Sequence, residues 1–241
     1  MDDNLDVDFD VFGSAPPPAK VSSRRASSVN SARTSVVADE RDVVRTRLAA
    51  IMADRYQLPR SALASETDDE RLNVPAVLGT TRRLLLGDMG TVEFLLEQSG
   101  SAHQRAHLEK YPIAAVLVCM GDAAAAAVSR EFEKKRLAFE GLGACVDEEG
   151  YPILQNHLSA ARTFIRTQLS AAAPAGGCVL VHCKEGKNRS ACLCVAYLML
   201  EERMPLTEAV EHVWQQRPIV LDNQSFVEQL MELADEEGLL S

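Results

Sequence analysis

The sequence lacks the features that define several large classes of protein. Its 241 residues carry 25 lysines and arginines against 35 aspartates and glutamates, which gives a formal net charge of -10. Binding to the phosphate backbone of nucleic acid needs clustered basic residues over a large face, so we expect no nucleic-acid partner. No apolar run reaches roughly 18 residues, so we expect no transmembrane segment.

The cysteines also lack the spacing of a metal site or a disulfide framework. None of the six forms a Cys-x-x-Cys pair or a paired Cys/His pattern, so no metal cofactor is predicted. The first residues are acidic where a secretory leader is basic and then apolar. We therefore expect a reducing compartment, the cytoplasm, with the nucleus left open. The cysteines are Cys119, Cys145, Cys178, Cys183, Cys192 and Cys194.

Composition divides the chain into a tail, a linker region and a compact domain. Residues 1–38 begin with five aspartates in ten positions and continue into Pro- and Ser/Arg-rich stretches with almost nothing apolar, which predicts disorder. Ser27 follows two arginines and is a candidate site for a basophilic kinase; a plain solubilising tail is the alternative. Residues 39–73 are predicted as an N-terminal helix and linker, and residues 74–238 as the catalytic domain.

The periodicity of apolar residues predicts an amphipathic helix over residues 39–58, stopped by Pro59. One face of this helix is predicted to carry Val43, Val44, Leu48, Ile51 and Met52.

From residue 74 onward, apolar runs of strand length alternate with helical patterns. Strands are predicted at 74–78, 83–86, 113–119 and 178–182, with strand-like pieces at 137–139 and 144–146. Helices are predicted at 91–97, from 123, at 154–170, at 188–202, after Pro205 with Thr207 as its cap, and at 223–236 with Asn223 as its cap. Residues between 97 and 113 read as a polar segment. This alternation predicts a compact single-domain α/β fold with a mainly parallel central sheet flanked by helices.

One segment carries the signs of chemistry. His182-Cys183-Lys184-Glu185-Gly186-Lys187-Asn188-Arg189-Ser190 joins the end of a buried strand to an apolar helix. Ligands bind at the carboxyl ends of such strands, and the free N–H groups at a helix N-terminus attract anions. The segment is therefore predicted to wrap a tetrahedral anion with its backbone amides.

The residue types in this loop suit nucleophilic chemistry on such an anion. The amides, the helix dipole and Arg189 would stabilise the thiolate of Cys183. Arg189 returns to the same concave face and can grip two oxygens with its planar fork. Gly186 would permit the tight bend, Ser190 can hydrogen-bond the sulfur as a leaving group, and His182 is predicted to orient the loop. Lys184, Glu185, Gly186, Lys187 and Asn188 join His182 as predicted substrate-binding residues.

The segment resembles the His-Cys-x-x-Gly-x-x-Arg-Ser/Thr signature of protein tyrosine and dual-specificity phosphatases and matches every fixed position. Weaker similarities extend over roughly residues 74–236, at 83–88, at 161–165, and at 217–230 with an Arg-Pro, an Asn and a Phe-x-x-Gln-Leu ending. The resemblance implies a phosphatase-like α/β domain and removal of phosphate from phosphotyrosine and phosphoserine or phosphothreonine through a phosphocysteine, without metal or organic cofactor.

The resemblance also implies a general acid, an aspartate on a loop some thirty residues before the cysteine. Asp147 occupies the matching topological position and is the preferred candidate. Glu148 and Glu149 are immediate rivals, and Asp122 is a remote one.

Two alternatives to a protein phosphatase remain open on sequence alone. Lys184 and Lys187 add positive charge inside the loop, as in relatives that act on phosphoinositides, although Glu185 offsets part of it. A domain that reads phosphate without turnover is the second alternative, and the presence of both Cys183 and Arg189 argues against it. A phosphorylated protein is the expected partner.

Overall fold

The computed structural model describes residues 40–51, 74–97, 100–217 and 220–240. The predicted tail with Ser27, the predicted linker at 61–73, Met52 and the Pro218-Ile219 pair lie outside the described residues.

Five strands form one mixed sheet, as the alternating pattern predicts. The spatial order is β1-β2-β5-β3-β4, and every neighbouring pair is parallel except the β1–β2 hairpin. The predicted mainly parallel α/β architecture is confirmed. The strands are β1 (Ala76–Leu78), β2 (Leu84–Gly87), β3 (Ile113–Val118), β4 (Ala138–Gly141) and β5 (Cys178–His182).

The helices alternate with the strands along the chain. They are α1 (40–51), α2 (Met89–Glu97), α3 (Ala102–Lys110), α4 (Asp122–Lys134), α5 (Ile153–Ala171), α6 (Arg189–Glu202), α7 (Leu206–Gln216) and α8 (Gln224–Glu237). Helix α6 is buried along most of its length, because β2 and β5 contact it from the sheet and α5, α7 and α8 surround it. The loop before α6 is thereby anchored to the core on both sides.

Helix α1 packs on the body through its predicted apolar residues Val44 and Leu48, with Ile51 partly buried beside them. Val44 is 6% exposed and Leu48 is 2% exposed, and both belong to the main core. Val43, which the periodicity placed on the same face, is 62% exposed, so that assignment is wrong. The residue lies one position before Val44, about 100° around the helix from it, and so faces away from the core.

One helix was not predicted, and two further local predictions are wrong. The polar segment contains α3, opened by a capping box in which Ser101 accepts from the Gln104 N–H and Gln104 bonds back to Ser101. Residues 144–146 are not a strand, because Ala144 has a φ of 52° and the chain turns there. Thr207 lies buried inside α7, whose N-cap is Pro205. Asn223 does cap α8, accepting from the Phe226 N–H.

Candidate active site

The candidate site lies at the carboxyl edge of the three central strands. His182 at the end of β5 is the register partner of Gly87 at the end of β2 and of Val118 at the end of β3. The loop of residues 183–188 leaves this edge and enters α6 at Arg189. This is the strand-loop-helix arrangement in which helix N-terminal amides receive an anion.

Cys183 lies at the head of the loop, directly after β5. Its side chain is only 1% exposed, and the Ser190 hydroxyl donates to its sulfur at 3.1 Å. Ser190 is in the first turn of α6 and is itself fully buried. The hydroxyl therefore has a fixed position beside the sulfur.

Four consecutive carbonyl groups of the loop, at residues 184–187, are bonded to donors outside it. Because the N–H of each following residue points opposite to the preceding carbonyl, these bonds turn the amides of residues 185–188 toward the inside of the loop. None of those amides donates to an acceptor within the described ranges. The donors to the carbonyls are the Met89 N–H at 3.2 Å, the Arg217 guanidinium at 3.0 and 3.1 Å, and the Leu221 N–H at 2.8 Å.

Arg217 is the main external support of the loop. Its side chain is 4% exposed, and it donates to the carbonyls of Glu185 and Gly186 and to the Asp88 carboxylate at 2.7 Å. The other Asp88 oxygen accepts from the N–H and hydroxyl of Thr91. A buried charge needs this degree of pairing, so the three side chains form one structural unit behind the loop.

Gly186 is required by the same contacts. Its φ is 66°, and a Cβ there would lie 2.7 Å from the Gly87 carbonyl oxygen and 2.8 Å from Arg217 Nη2. A side chain would meet both the backbone strain of the left-handed region and this contact.

Arg189 lies on the concave side of the loop. One terminal nitrogen donates to the Cys145 carbonyl at 3.3 Å, and Nε lies 3.8 Å from Asp147 Oδ2. Nε is buried and makes no hydrogen bond to any described residue. The guanidinium is thus held in place with donor capacity left for an anion.

Asp147 lies beside Arg189, and two amide side chains hold it there. Asn188 Nδ2 donates to one carboxylate oxygen and Asn223 Nδ2 to the other, each at 3.3 Å. Asn188 Oδ1 in turn accepts from the N–H groups of Asp222 and Asn223. The loop of residues 183–188, the loop of Asp147 and the start of α8 are therefore cross-linked by these amides.

The rest of the Asp147 loop is tied to α8 by side chains of its first two turns. Ser225 accepts from the Gly150 N–H at 2.9 Å, and Gln229 donates to the Tyr151 carbonyl at 2.9 Å. The rivals of Asp147 are directed elsewhere. Glu149 accepts from the Ser225 N–H at 2.7 Å.

The two remaining rivals also lie apart from the loop contacts. Glu148 contributes its backbone carbonyl, which accepts from Asn223 at 3.3 Å. Asp122 opens α4, and its carboxylate lies against Gly143. Among the four acidic candidates, Asp147 alone contacts both Asn188, the last residue of the loop of residues 183–188 (the anion loop), and Arg189, the first residue of α6.

His182 is fully buried beneath the loop. Burial lowers its pKa to about 4, which outweighs the raising effects of the Cys183 carbonyl and Asp88. The ring is therefore neutral at pH 7, and since Nδ1 lies 3.4 Å from the carbonyl oxygen of Cys183, Nδ1 carries the proton. This position suits the predicted orienting role better than proton transfer.

Other cysteines near the site are kept as thiols by burial. Burial raises the pKa of Cys145 to about 12, although Arg189 acts in the opposite direction. Burial likewise raises the pKa values of Cys119, Cys192 and Cys194. These thiols are poor nucleophiles at neutral pH.

The two loop lysines lie at the rim. Lys184 is exposed, and Lys187 pairs with Glu185 at 2.8 Å. The sequence prediction that Glu185 offsets part of the positive charge is confirmed by this ion pair.

Sequence reasoning did not assign roles in the site to Asp88 and Arg217, and it predicted Asn223 only as a helix cap. Arg217 and Asn223 were visible as parts of the Arg-Pro and Asn ending of the family pattern. Their function as supports of two loops needs the folded geometry, because they lie 31 and 76 residues from the groups that they bind. No sequence signal pointed to Asp88 as the partner of Arg217.

A cysteine at the head of an anion-binding loop, on a mainly parallel sheet, defines the class of protein tyrosine phosphatase-like domains. The sequence model of the family described as "Dual specificity phosphatase, catalytic domain" matches residues 94–236, which is more than half of the chain. The chain therefore belongs to the dual-specificity phosphatase family.

Individual relatives agree with this assignment. Dual specificity protein phosphatase 1 of Arabidopsis thaliana is 48% identical over 58 residues, covering 24% of this chain and 29% of that protein. Dual specificity protein phosphatase 26 of Bos taurus is 42% identical over 101 residues, covering 40% and 46%. The matches thus span less than half the length of these relatives.

Solved structures show the same fold at low identity. The crystal structure of human tyrosine phosphatase-like serine/threonine/tyrosine-interacting protein aligns with a TM-score of 0.50 and 23% identity, covering 68% of this chain and 97% of that one.

In the described part of the chain, no helix is long and apolar enough to cross a membrane.

Proposed function

We propose that the protein is a cysteine-dependent phosphatase that removes phosphate from phosphotyrosine and phosphoserine or phosphothreonine in proteins, through a phosphocysteine intermediate. The observation that carries the proposal is the sulfur of Cys183 at the head of a loop whose carbonyls are bonded outward. The Ser190 hydroxyl on that sulfur, 3.1 Å away, and the nearby Arg189–Asp147 pair support it.

In the first step, the Cys183 thiolate attacks phosphorus, so that an S–P bond forms while the P–O bond to the substrate breaks. The amides of residues 185–188 and the Arg189 guanidinium hold the three non-bridging oxygens and stabilise their charge in the transition state. The leaving oxygen takes a proton from the carboxyl group of Asp147. The products of this step are the dephosphorylated substrate and phosphocysteine.

In the second step, a water attacks the phosphocysteine and gives a proton to the Asp147 carboxylate. The S–P bond breaks, inorganic phosphate leaves, and the sulfur departs as a thiolate. Ser190 donates a hydrogen bond to this leaving sulfur. The amides of Asn188 and Asn223 hold the carboxylate in position for this step, since each donates to one of its oxygens.

A phosphoprotein is the favoured substrate. The two loop lysines do not add up to a strongly basic rim, because Lys187 is paired with Glu185. A polyphosphorylated headgroup would need unpaired cations there. The six cysteines are buried free thiols, which supports the further proposal that the protein works in a reducing compartment such as the cytoplasm.

The test is metal-free phosphate release from a matched phosphotyrosine and phosphothreonine peptide pair, a phosphoinositide panel and a small aryl phosphate. We expect wild type to hydrolyse the aryl phosphate and the peptides, and Cys183→Ser to lose at least about 10⁴-fold in kcat. Cys145→Ser is the matched control, since it makes the same substitution at another buried cysteine that is also 1% exposed. Faster hydrolysis of phosphoinositides than of the peptides would show that the substrate is a lipid and not a phosphoprotein. Binding of phosphopeptide without hydrolysis would show that the domain recognises phosphate without catalysis.

Asp147 is tested by the dependence of rate on the leaving group. Asp147→Ala should slow a poorly activated aryl phosphate by roughly 10²-fold or more, and a highly activated one much less, because the activated leaving group needs no proton. Equal losses on both substrates would exclude Asp147 as the general acid. Glu149→Ala is the control carboxylate on the same loop.

A further inference from the structure

A surface groove between α5 and α8 lies outside the site described above. At one end, a cleft of about 570 Å³ is bounded by Gly150 and Pro152 of the Asp147 loop. A second cleft of about 420 Å³ continues it toward Arg162 and Arg166 of α5. The clefts share Leu154, Gln155, Leu158 and Leu233, so we treat them as one surface, the α5–α8 groove.

The floor of this groove is apolar. Leu154 is 9% exposed, whereas Leu158 and Leu233 are partly exposed and pack against the core from above. The second cleft adds Leu200 of α6. These partly exposed leucines form a concave apolar strip, and an apolar side chain of a partner can pack against it.

One rim of the groove is acidic. Glu228, Glu232 and Glu236 are exposed and line the cleft at four-residue intervals on α8. At 1.5 Å per residue, neighbouring carboxylates lie about 6 Å apart along the helix. None of the three forms an ion pair within the described ranges, whereas Asp235 and Glu237 of the same helix pair with arginines.

We propose that the α5–α8 groove binds a basic amphipathic helix of a partner protein. Cations four residues apart on such a helix match the spacing of the three glutamates. Leucine-type residues on its adjoining face cover the floor, in the manner of helix-in-groove recognition. Along α8, an acidic or phosphorylated segment would face three carboxylates that form no ion pair with a described residue. Arg162 and Arg166 lie on α5 in the second cleft, where Arg162 is already paired with Glu201.

The groove is also next to the catalytic loop. Ser225 and Gln229, which line it, are the residues that hold Gly150 and Tyr151 of the Asp147 loop. Gly150 is three residues from Asp147, a span of at most roughly 10 Å. A substrate that carries the basic helix would be held close to Cys183, and this part of the inference depends on the proposed phosphatase function.

The direct test is fluorescence anisotropy with a labelled helical peptide of about 15 residues, bearing three arginines at four-residue spacing and leucines on the adjoining face. The titration uses the full chain. We expect the triple variant Glu228→Lys, Glu232→Lys, Glu236→Lys to weaken binding at least about tenfold. The control triple Glu93→Lys, Glu109→Lys, Glu133→Lys has the same charge change at exposed sites elsewhere and should shift affinity less than about twofold.

Several results would overturn the proposal. They are absence of binding to wild type, equal weakening in both triple variants, and equal affinity for a peptide whose leucines are replaced by serine. If sedimentation shows that wild type is a dimer and that the groove triple variant is a monomer, the occupant of the groove is a second copy of this chain.

Kinetics separate this inference from the proposed function. A phosphopeptide with the basic helix appended should have a higher kcat/KM than the same phosphopeptide alone, by about tenfold or more through effective concentration. The groove triple variant should lose that gain and retain turnover of a small aryl phosphate. Equal gain in the groove variant would overturn substrate docking. If wild type hydrolyses neither substrate, the phosphatase proposal fails, while the peptide-binding measurement still tests whether the groove binds a basic helix.

Discussion

At the scale of single residues, the site depends on what surrounds one sulfur. Cys183 and Cys145 are both 1% exposed, yet only Cys183 has a hydroxyl at 3.1 Å and lies at the head of an amide-lined loop. Burial is the largest cause of the rise in the pKa of Cys145 to about 12, and Arg189 acts against it. The groups around each sulfur, and not its exposure, therefore distinguish the proposed nucleophile from a core thiol.

Ser190→Ala should slow the second step more than the first, because its hydroxyl donates to the sulfur that leaves in that step. We expect a burst of the phenol product followed by a slower steady state, with kcat reduced about tenfold or more. Rapid-quench kinetics on an activated aryl phosphate measures both phases. Equal slowing of burst and steady state would contradict this role.

His182 should make stability depend on pH. Its pKa in the folded protein, about 4, is below the ordinary value of 6.5, so between these values the unfolded chain binds a proton that the folded chain does not. This contribution to stability is complete above pH 6.5 and is lost as pH falls toward 4. Wild type should lose about 2 kcal/mol more than His182→Gln between about pH 7 and pH 5.

Urea unfolding at the two pH values measures this difference. The comparison uses the pH-dependent change within each protein, so a constant destabilisation by His182→Gln does not affect it. Parallel pH dependences for the two proteins would contradict a buried neutral imidazole.

At the scale of elements, the anion loop is shaped from outside. Gly186→Ala should reduce kcat/KM at least about tenfold, because its Cβ would contact the Gly87 carbonyl and Arg217 and shift the amides. Gly238→Ala is the matched control: its φ is 67° against 66°, and no atom lies within 4 Å of its Cβ position. The control should lose about 1 kcal/mol of stability and keep its kcat/KM. Equal kcat/KM in the Gly186 variant and wild type would show that the loop does not need this geometry.

Sequence reasoning predicted the elements whose pattern is local and strong. The run from Cys178 to Val181 is apolar and forms, with His182, a central strand, and Asn223 is an N-cap. The anion loop could be identified because its residues are adjacent in the chain. The position of Asp147 needed the family resemblance, since a single aspartate in a loop has no pattern of its own.

The failures have equally local causes. Residues 144–146 have strand-forming composition, but Ala144 adopts a positive φ as the chain turns toward Asp147. Helix α3 has few apolar residues and none is buried, so periodicity could not reveal it; the Ser101–Gln104 capping box was the available signal. The supports of the site, Arg217 and Asn223, act across long sequence separations that no local pattern encodes.

At the scale of the whole molecule, α1 is a part of the packed body. Leu48→Ala should cost about 2–4 kcal/mol of the free energy of unfolding, because Leu48 is 2% exposed. Val43→Ala on the same helix should cost less than about 0.5 kcal/mol, because Val43 is 62% exposed. Denaturant unfolding of both variants measures this, and equal stabilities would contradict the packing of α1.

The charge of the molecule is distributed to suit an anionic ligand at one place. The whole sequence has a net charge of -10, whereas the anion loop presents its amides and lies next to Arg189. Attraction for phosphate is therefore local and short in range, since salt screens exposed charges beyond about 10 Å. The acidic rim of the α5–α8 groove belongs to the same distribution and favours a cationic partner.

The covalent intermediate is the central claim, and trapping it is the most direct test. Wild type is mixed with a phosphopeptide labelled with radioactive phosphate and quenched within one turnover, and the labelled residue is mapped. We predict acid-resistant label on Cys183 of wild type and of Cys145→Ser, with none on Cys183→Ser. Phosphate release with no label on the protein, or label on another residue, would contradict the account.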